Sequence, residues 1–128
     1  MKERFDVRSG LIILPVSVEG PTGVGWLRLA LDTGATYSLI RPALLEVLGY
    51  DPALAKERVR ITTGSGVEFA VRLHVTRISA LGRSHKDFPV LGHTLPPSAA
   101  VDGLLGLDFF RDACLEIDFR AGLIQLDA

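Results

Sequence analysis

The 128-residue chain carries 14 basic and 15 acidic side chains, 48% apolar residues and a single cysteine. That size leaves room for one domain, spanning 1–128, with one modest core. The near-neutral balance has none of the basic excess expected of a nucleic-acid binder, and Cys114 has no second thiol with which to form an internal disulfide.

The opening Met1-Lys2-Glu3-Arg4-Phe5-Asp6 is charged and lacks the apolar core of a signal peptide. The first apolar run, Leu11 to Leu14, is cut by Pro15 and falls far short of the roughly 20 residues a membrane helix needs. No membrane partner is expected, and a cytoplasmic location is the default. Alternation predicts a strand over about 11–18, a turn at Glu19-Gly20-Pro21-Thr22-Gly23 and a second strand over 24–31, with Leu27, Leu29 and Leu31 on one side. Trp26 is expected to pack rather than to act as a substrate platform. Pro42 to Leu48 predicts a short helix, with Pro42 in its first turn and Gly49 closing it. Val67, Phe69, Val71, Leu73 and Val75 alternate with polar positions and predict a long strand. A second short helix is expected after Gly106, with Asp108 as its N-cap. Cys114 has apolar neighbours and is expected as a small core residue. Leu115, Ile117 and Phe119 then predict a strand, Arg120-Ala121-Gly122 a turn, and Leu123 to Leu126 the return strand. The sum is a mostly-β chain with one or two short helices.

The chemistry concentrates at Asp32-Thr33-Gly34, directly after an apolar strand. A carboxylate leaving a buried strand costs free energy unless it is hydrogen-bonded, shares a proton or reacts. Thr33 offers a hydroxyl near the backbone, and Gly34 allows a tight turn that brings its amide to the carboxylate. By itself Asp-Thr-Gly is a common turn sequence. A second apolar motif follows at Asp102-Gly103-Leu104-Leu105-Gly106-Leu107-Asp108-Phe109-Phe110, and between the two lies Ile61-Thr62-Thr63-Gly64-Ser65-Gly66.

These ordered motifs resemble the retropepsin-like aspartic peptidases, single-domain relatives of pepsin, in their cellular and bacterial branch. The resemblance runs from about residue 10 to 126. It rests on Leu31-Asp32-Thr33-Gly34-Ala35, on Thr36 and Ser38-Leu39-Ile40, and on the glycine-closed Leu104-Leu105-Gly106. It implies a closed acid-protease-like β-barrel, one lobe per chain, and an aspartic endopeptidase activity on peptide or protein substrates without metal or cofactor. It makes Asp32 the catalytic carboxylate, Thr33 a cross-axis hydrogen-bonding residue and Gly34 the amide that orients the carboxylate. Leu104-Leu105-Gly106 would support the loop from below. Ala35, Thr63, Gly64, Ser65 and Gly66 would contact substrate, the last four from a flap. The sequence departs from the viral members at Thr36 and Tyr37, where acidic residues are common, in Thr62-Thr63 of the flap, and in lacking the motif arginine of the second signature.

Two neighbouring carboxyls that cannot both ionise share one proton and thereby supply an acid and a base together. The chain has one Asp-Thr-Gly and is too short for two lobes, so the second carboxylate is expected from Asp32 of another copy in a homodimer. Competing arrangements are weaker. His74, His85 and His93 lack tight metal-ligand spacing, and His74 falls on the polar side of its strand. Asp102 reads as a turn residue with Gly103. Gly64-Ser65-Gly66 also fits a plain hairpin turn. The alternatives of another class are a non-catalytic dimeric scaffold with the same fold, and an unrelated small-molecule-binding β-barrel.

Overall fold

The computed structural model describes residues 1–96 and 98–127. In chain order the elements are β1 (Lys2–Arg4), β2 (Ile13–Gly20), β3 (Gly23–Leu31), β4 (Leu39–Ile40), α1 (Pro42–Val47), a 3-10 turn at Pro52–Leu54, β5 (Glu57–Thr63), β6 (Gly66–Ala80), β7 (Arg83–Gly92), β8 (Gly103–Leu105), α2 (Leu107–Phe110), β9 (Cys114–Asp118) and β10 (Leu123–Asp127).

Alternation sets the first hairpin. Leu14, Val16 and Val18 of β2 and Leu27 and Leu29 of β3 point inward and are buried, while Pro15, Glu19 and Arg28 take outward positions. Each such aliphatic burial stabilises the fold by about 1.5–3 kcal/mol. Pro15 lacks an N–H, which a strand tolerates where no neighbour needs it; β2 meets its second neighbour, β6, only at Ser17–Glu19. Hydrogen bonding runs β2-β3-β8-β4-β7-β6 and returns from β6 to β2, closing six strands into a barrel. β5 lies outside this ring, paired to β6 alone. A second sheet, β1-β10-β9, places Ile124 and Leu126 in the main core, with Leu115 and Ile117 packed beside them.

β6 runs five residues beyond the expected Val75, and its inward side changes along its length. Val75 is buried at an odd position, whereas Ile78 and Ala80 are buried at even ones. Between them, Asp87 of β7 adopts φ 49 where it faces Thr76, which breaks the pleat. Tyr50 fills the gap: its hydroxyl accepts from the Thr76 amide at 2.8 Å and donates to the Glu19 carbonyl at 3.1 Å. The hairpin to β7 turns at Leu81 and Gly82, with φ of 52 and 77, the pair of positive values that a two-residue turn matched to strand twist requires.

Two apolar expectations are corrected, and one expected strand face proves partly exposed. Trp26 is 72% exposed, because Leu27 and Leu29 occupy the core side of β3 and Trp26 faces away from it. Cys114 is exposed, since Leu115 and Ile117 take the inward positions of β9. Val67 and Phe69 share the expected side of β6, but they lie on the part paired only to β5 and remain 55% and 63% exposed.

Glu3 pairs in register with Ile124, whose side chain is in the core. Its Oε2 is buried and meets no hydrogen-bond partner among the described residues, and this burial pushes the carboxyl above its ordinary range. A carboxyl raised on folding contributes stability below its unfolded value and loses it as pH climbs through the folded one. Glu3→Gln is therefore expected to melt above the parent at pH 7, with the gap narrowing toward pH 4. Thermal melts across that range check it, and a pH-independent gap would contradict the assignment.

Candidate active site

Asp32 leaves the end of β3 half-buried, and its backbone N–H donates to the Leu105 carbonyl at 2.9 Å. The chain then turns sharply. The Gly34 amide donates to Asp32 Oδ1 at 2.9 Å, and the Ala35 amide to the Asp32 carbonyl at 3.2 Å. A Cβ on Gly34 would lie 3.2 Å from Oδ1, a crowded approach that makes glycine the fitting residue here. Thr33 and Gly34 are exposed. Among the described residues, Asp32 Oδ2 and the Thr33 hydroxyl have no protein partner. The loop thus presents one carboxylate oxygen oriented by an amide and the other open.

A buried polar lock holds this loop. Ser38 is fully buried; its N–H donates to both carboxylate oxygens of Asp108 at 3.0 Å, and its hydroxyl donates to Oδ1 at 2.8 Å. The same hydroxyl oxygen accepts from the Gly106 amide at 3.0 Å. Leu107 N–H adds a bond to the Ala35 carbonyl at 2.9 Å. Such close packing excludes a side chain at Gly106, where a Cβ would fall 2.8 Å from the carbonyl oxygens of Ala35 and Tyr37. Gly103 is as constrained, since a Cβ there would collide with the Leu39 carbonyl. Asp108 is consequently not the expected N-cap. Gly106 holds the cap position, and Asp108 sits in the first turn of α2 with its carboxylate turned to Ser38.

The other predicted site residues form the turn of the β5–β6 hairpin. Thr63 pairs with Gly66 across Gly64 and Ser65, and its Oγ1 accepts from the Ser65 amide at 3.2 Å. Gly66 has φ 118, which favours glycine. Within one chain no hydrogen bond among the described residues joins this tip to the Asp32 loop. Farther from the tip, Ala70 is buried with Leu39 and Leu91, and Val59, Ile61, Leu95 and Leu104 pack around them half-buried. This small cluster connects the hairpin to β4 and β8, the strands that flank the Asp32 loop. Two shallow concave surfaces among the described residues lie elsewhere, one along Phe5, Leu11, Ile13 and Arg28 and the other over β9 and β10, and neither is lined by Asp32.

The family model described as "gag-polyprotein putative aspartyl protease" matches residues 16–112. The chain belongs to this family. Its match spans both the Asp32 loop and the Gly106 segment. Among solved structures, a retropepsin-like aspartic protease from Rickettsia conorii superposes with a TM-score of 0.73 at 18% identity, over 99% of this chain and 91% of that one. The retroviral protease-like domain of Ddi1 from Leishmania major gives 0.61 at 21% identity, over 93% and 90%. Both are similar in fold. No curated protein sequence matches the chain. Family and fold together support an aspartic protease-type function in general, and the barrel agrees with the expected retropepsin-like architecture. No helix among the described residues is long and apolar enough to cross a membrane.

Several residues important to this geometry carry no local sequence signal. Ser38 and Asp108 lie 70 positions apart. Arg41 donates from Nε to Val101 O at 2.8 Å, from Nη1 to Leu95 O at 3.1 Å and from Nη2 to Ala99 O at 2.7 Å, fastening the segment that leads into β8. Asp102 does more than turn: its Oδ2 accepts from the Arg28 amide at 2.8 Å, and its own N–H donates back to Arg28 O at 2.9 Å. His74 is exposed, as expected, with Asp87 3.4 Å away.

Removing the Asp108 carboxylate strands the Ser38 amide. A buried donor left without an acceptor costs about 1–3 kcal/mol, more where the lost partner was charged. Asp108→Ala is expected to lose about 2–4 kcal/mol in urea unfolding, and Asp108→Asn, which retains one acceptor oxygen, distinctly less. Equal losses would show that hydrogen bonding is not the lock.

Proposed function

We propose that the chain is an aspartic endopeptidase whose active site is completed by a second copy of itself. The observation that carries this reading is Asp32: half-buried, with Oδ1 held by the Gly34 amide and Oδ2 open, on a loop clamped to the second motif. A rigid carboxylate with one free oxygen suits proton transfer with a bound water. One carboxylate cannot act as base and acid together, and each chain carries one Asp-Thr-Gly. A two-fold axis beside the loop supplies the second Asp32. The pair then shares one proton. The ionised member takes a proton from water as its oxygen attacks the peptide carbon, and the protonated member donates to the carbonyl oxygen, giving a gem-diol. The newly protonated carboxyl then passes its proton to the amide nitrogen, the other carboxylate takes a hydroxyl proton, and the C–N bond breaks to leave an acid, an amine and the pair again with one proton. The Thr33 hydroxyl, exposed in one chain, bonds across the axis and stiffens the two loops. Leu104, Leu105 and Gly106 support them from below. Ala35 and the tip at Thr63, Gly64, Ser65 and Gly66 contact the substrate backbone, the tip acting as a flap.

The test compares wild type and Asp32→Asn on a mixed peptide library between pH 4 and 7. Positioned acid–base groups contribute about 10²–10⁴-fold to rate, so the variant is expected to lose at least that much. Cleavage that persists in the variant would remove Asp32 from the mechanism. Subunit mixing tests the shared site separately. After exchange at equal amounts, about one quarter of dimers hold two intact carboxylates, so activity per total chain falls to about a quarter of wild type rather than to a half. A stable dimer in sedimentation with no cleavage at any pH would favour the non-catalytic scaffold.

A further inference from the structure

The side of β6 that faces the small apolar cluster carries a cation. Arg72 lies two positions from Ala70 on that side, opposite Leu91 of β7 and Glu57 of β5. Its guanidinium carbon sits 5.6 Å from the centroid of the Tyr37 ring. Tyr37 belongs to the Asp32 loop, one residue before the buried Ser38. Arg72 is therefore held over the segment that carries Asp32, at the border of a half-buried apolar surface formed by Ile61, Val59 and Leu104.

The bonding of this arginine is incomplete. Its Nε is buried with no hydrogen-bond partner among the described residues. Among the described residues its one ion-pair contact is Nη1 to Glu57 Oε2 at 3.7 Å, beyond hydrogen-bond length, with the two side chains 31% and 62% exposed. A guanidinium offers five N–H donors in a planar fork, and stacking on an aromatic ring fixes its plane while leaving its edge free. Arg41 shows the contrasting structural use, with its donors taken up by backbone carbonyls. The other acidic group on this side of β6, Glu68, is turned to His93, with Oε2 3.4 Å from Nε2.

We infer that Arg72, seated on Tyr37, is a specificity residue that selects an acidic side chain in the peptide substrate. The inference rests on the peptidase reading above and adds the substrate class. The apolar surface takes an aliphatic or aromatic side chain, and the edge of the guanidinium takes a carboxylate displaced along the extended peptide. In a two-fold dimer Arg72 occurs twice. The acidic preference therefore appears at two positions, one on each side of the scissile bond and at matching distance from it.

Cleavage sites in a mixed peptide library, read by mass spectrometry, test this. Wild type is expected to enrich Asp and Glu about fivefold at the paired positions, the factor for a partly exposed charge pair. Arg72→Gln loses the enrichment, the ratio of acidic to neutral residues at the paired positions falling about fivefold within the same library, and Arg72→Glu replaces it by a preference for Lys and Arg. Tyr37→Leu weakens it without reversing it. Cleavage with no acidic preference, or with one that survives in Arg72→Glu, overturns the inference and leaves the peptidase reading intact. Capture of the same library on immobilised Asp32→Asn, with and without Arg72→Gln, gives a readout that needs no turnover. Acidic peptides retained only when Arg72 is present support the inference even where wild type fails to cut, an outcome that would count against the peptidase reading alone. Absence of any such retention overturns the inference.

Discussion

The hydroxyl of Ser38 is the point on which the site depends. It donates to Asp108 and accepts from the Gly106 amide, so a single buried oxygen ties the loop after β3 to the segment that opens α2. Burying a carboxylate is costly unless its oxygens find donors. Here Ser38 supplies both its amide and its hydroxyl to Asp108. The lock explains several side-chain choices at once. Gly106 must be glycine because the loop carbonyls crowd it, and Leu107 can follow immediately because its amide finds Ala35. Asp32, three residues from the main-chain bond at Ala35 and held at its own amide by Leu105, inherits its position from these contacts rather than from its own side chain.

The barrel around this lock solves a second problem, that of edges. Six strands close on themselves, which leaves the two short strands that flank the loop, β4 and β8, paired on both sides. β8 is parallel to β3 and antiparallel to β4, so three residues of backbone receive bonds from two directions. Strands of two and three residues would be marginal alone; enclosed in the ring they become fixed points. The Arg41 fan and the reciprocal Arg28–Asp102 bonds hold the long segment before β8 in place.

Much of this was legible in the sequence wherever the signal was local. The first hairpin, the short helix at Pro42, the Gly64-Ser65 turn and the terminal hairpin all follow from alternation and turn residues, and the structure places them within a few residues of expectation. The loop geometry at Asp32 and Gly34 follows from the chemistry of a carboxylate beside a glycine amide. The misses share a cause: side chains whose surroundings come from distant sequence. β7 was not foreseen, because its first half, Arg83 to Asp87, is polar and its apolar residues begin only at Phe88. Trp26 looked like core on composition, yet strand parity with Leu27 and Leu29 turns it outward. Asp108 looked like a cap from its place before two phenylalanines, and its real partner stands far away along the chain. The positive φ of Asp87 could not be read at all, since neither it nor the bond from the Thr76 amide to the Tyr50 hydroxyl leaves a local pattern.

The unequal attachment of β5 has a mechanical meaning. Every strand of the ring is bonded on two sides, but β5 is bonded only to the outer part of β6, and that part of β6 carries Val67 and Phe69 in solvent. Swinging this arm away from the loop breaks no ladder bond of the ring. What resists it is side-chain contact, chiefly Val59, Ile61 and Ala70 against Leu39, Leu91 and Leu104, helped by the pairing of Glu68 with His93. Two kinds of attachment are thus combined in one continuous strand: the inner half of β6 is bonded into the ring on both sides, and its outer half meets the ring through side chains alone.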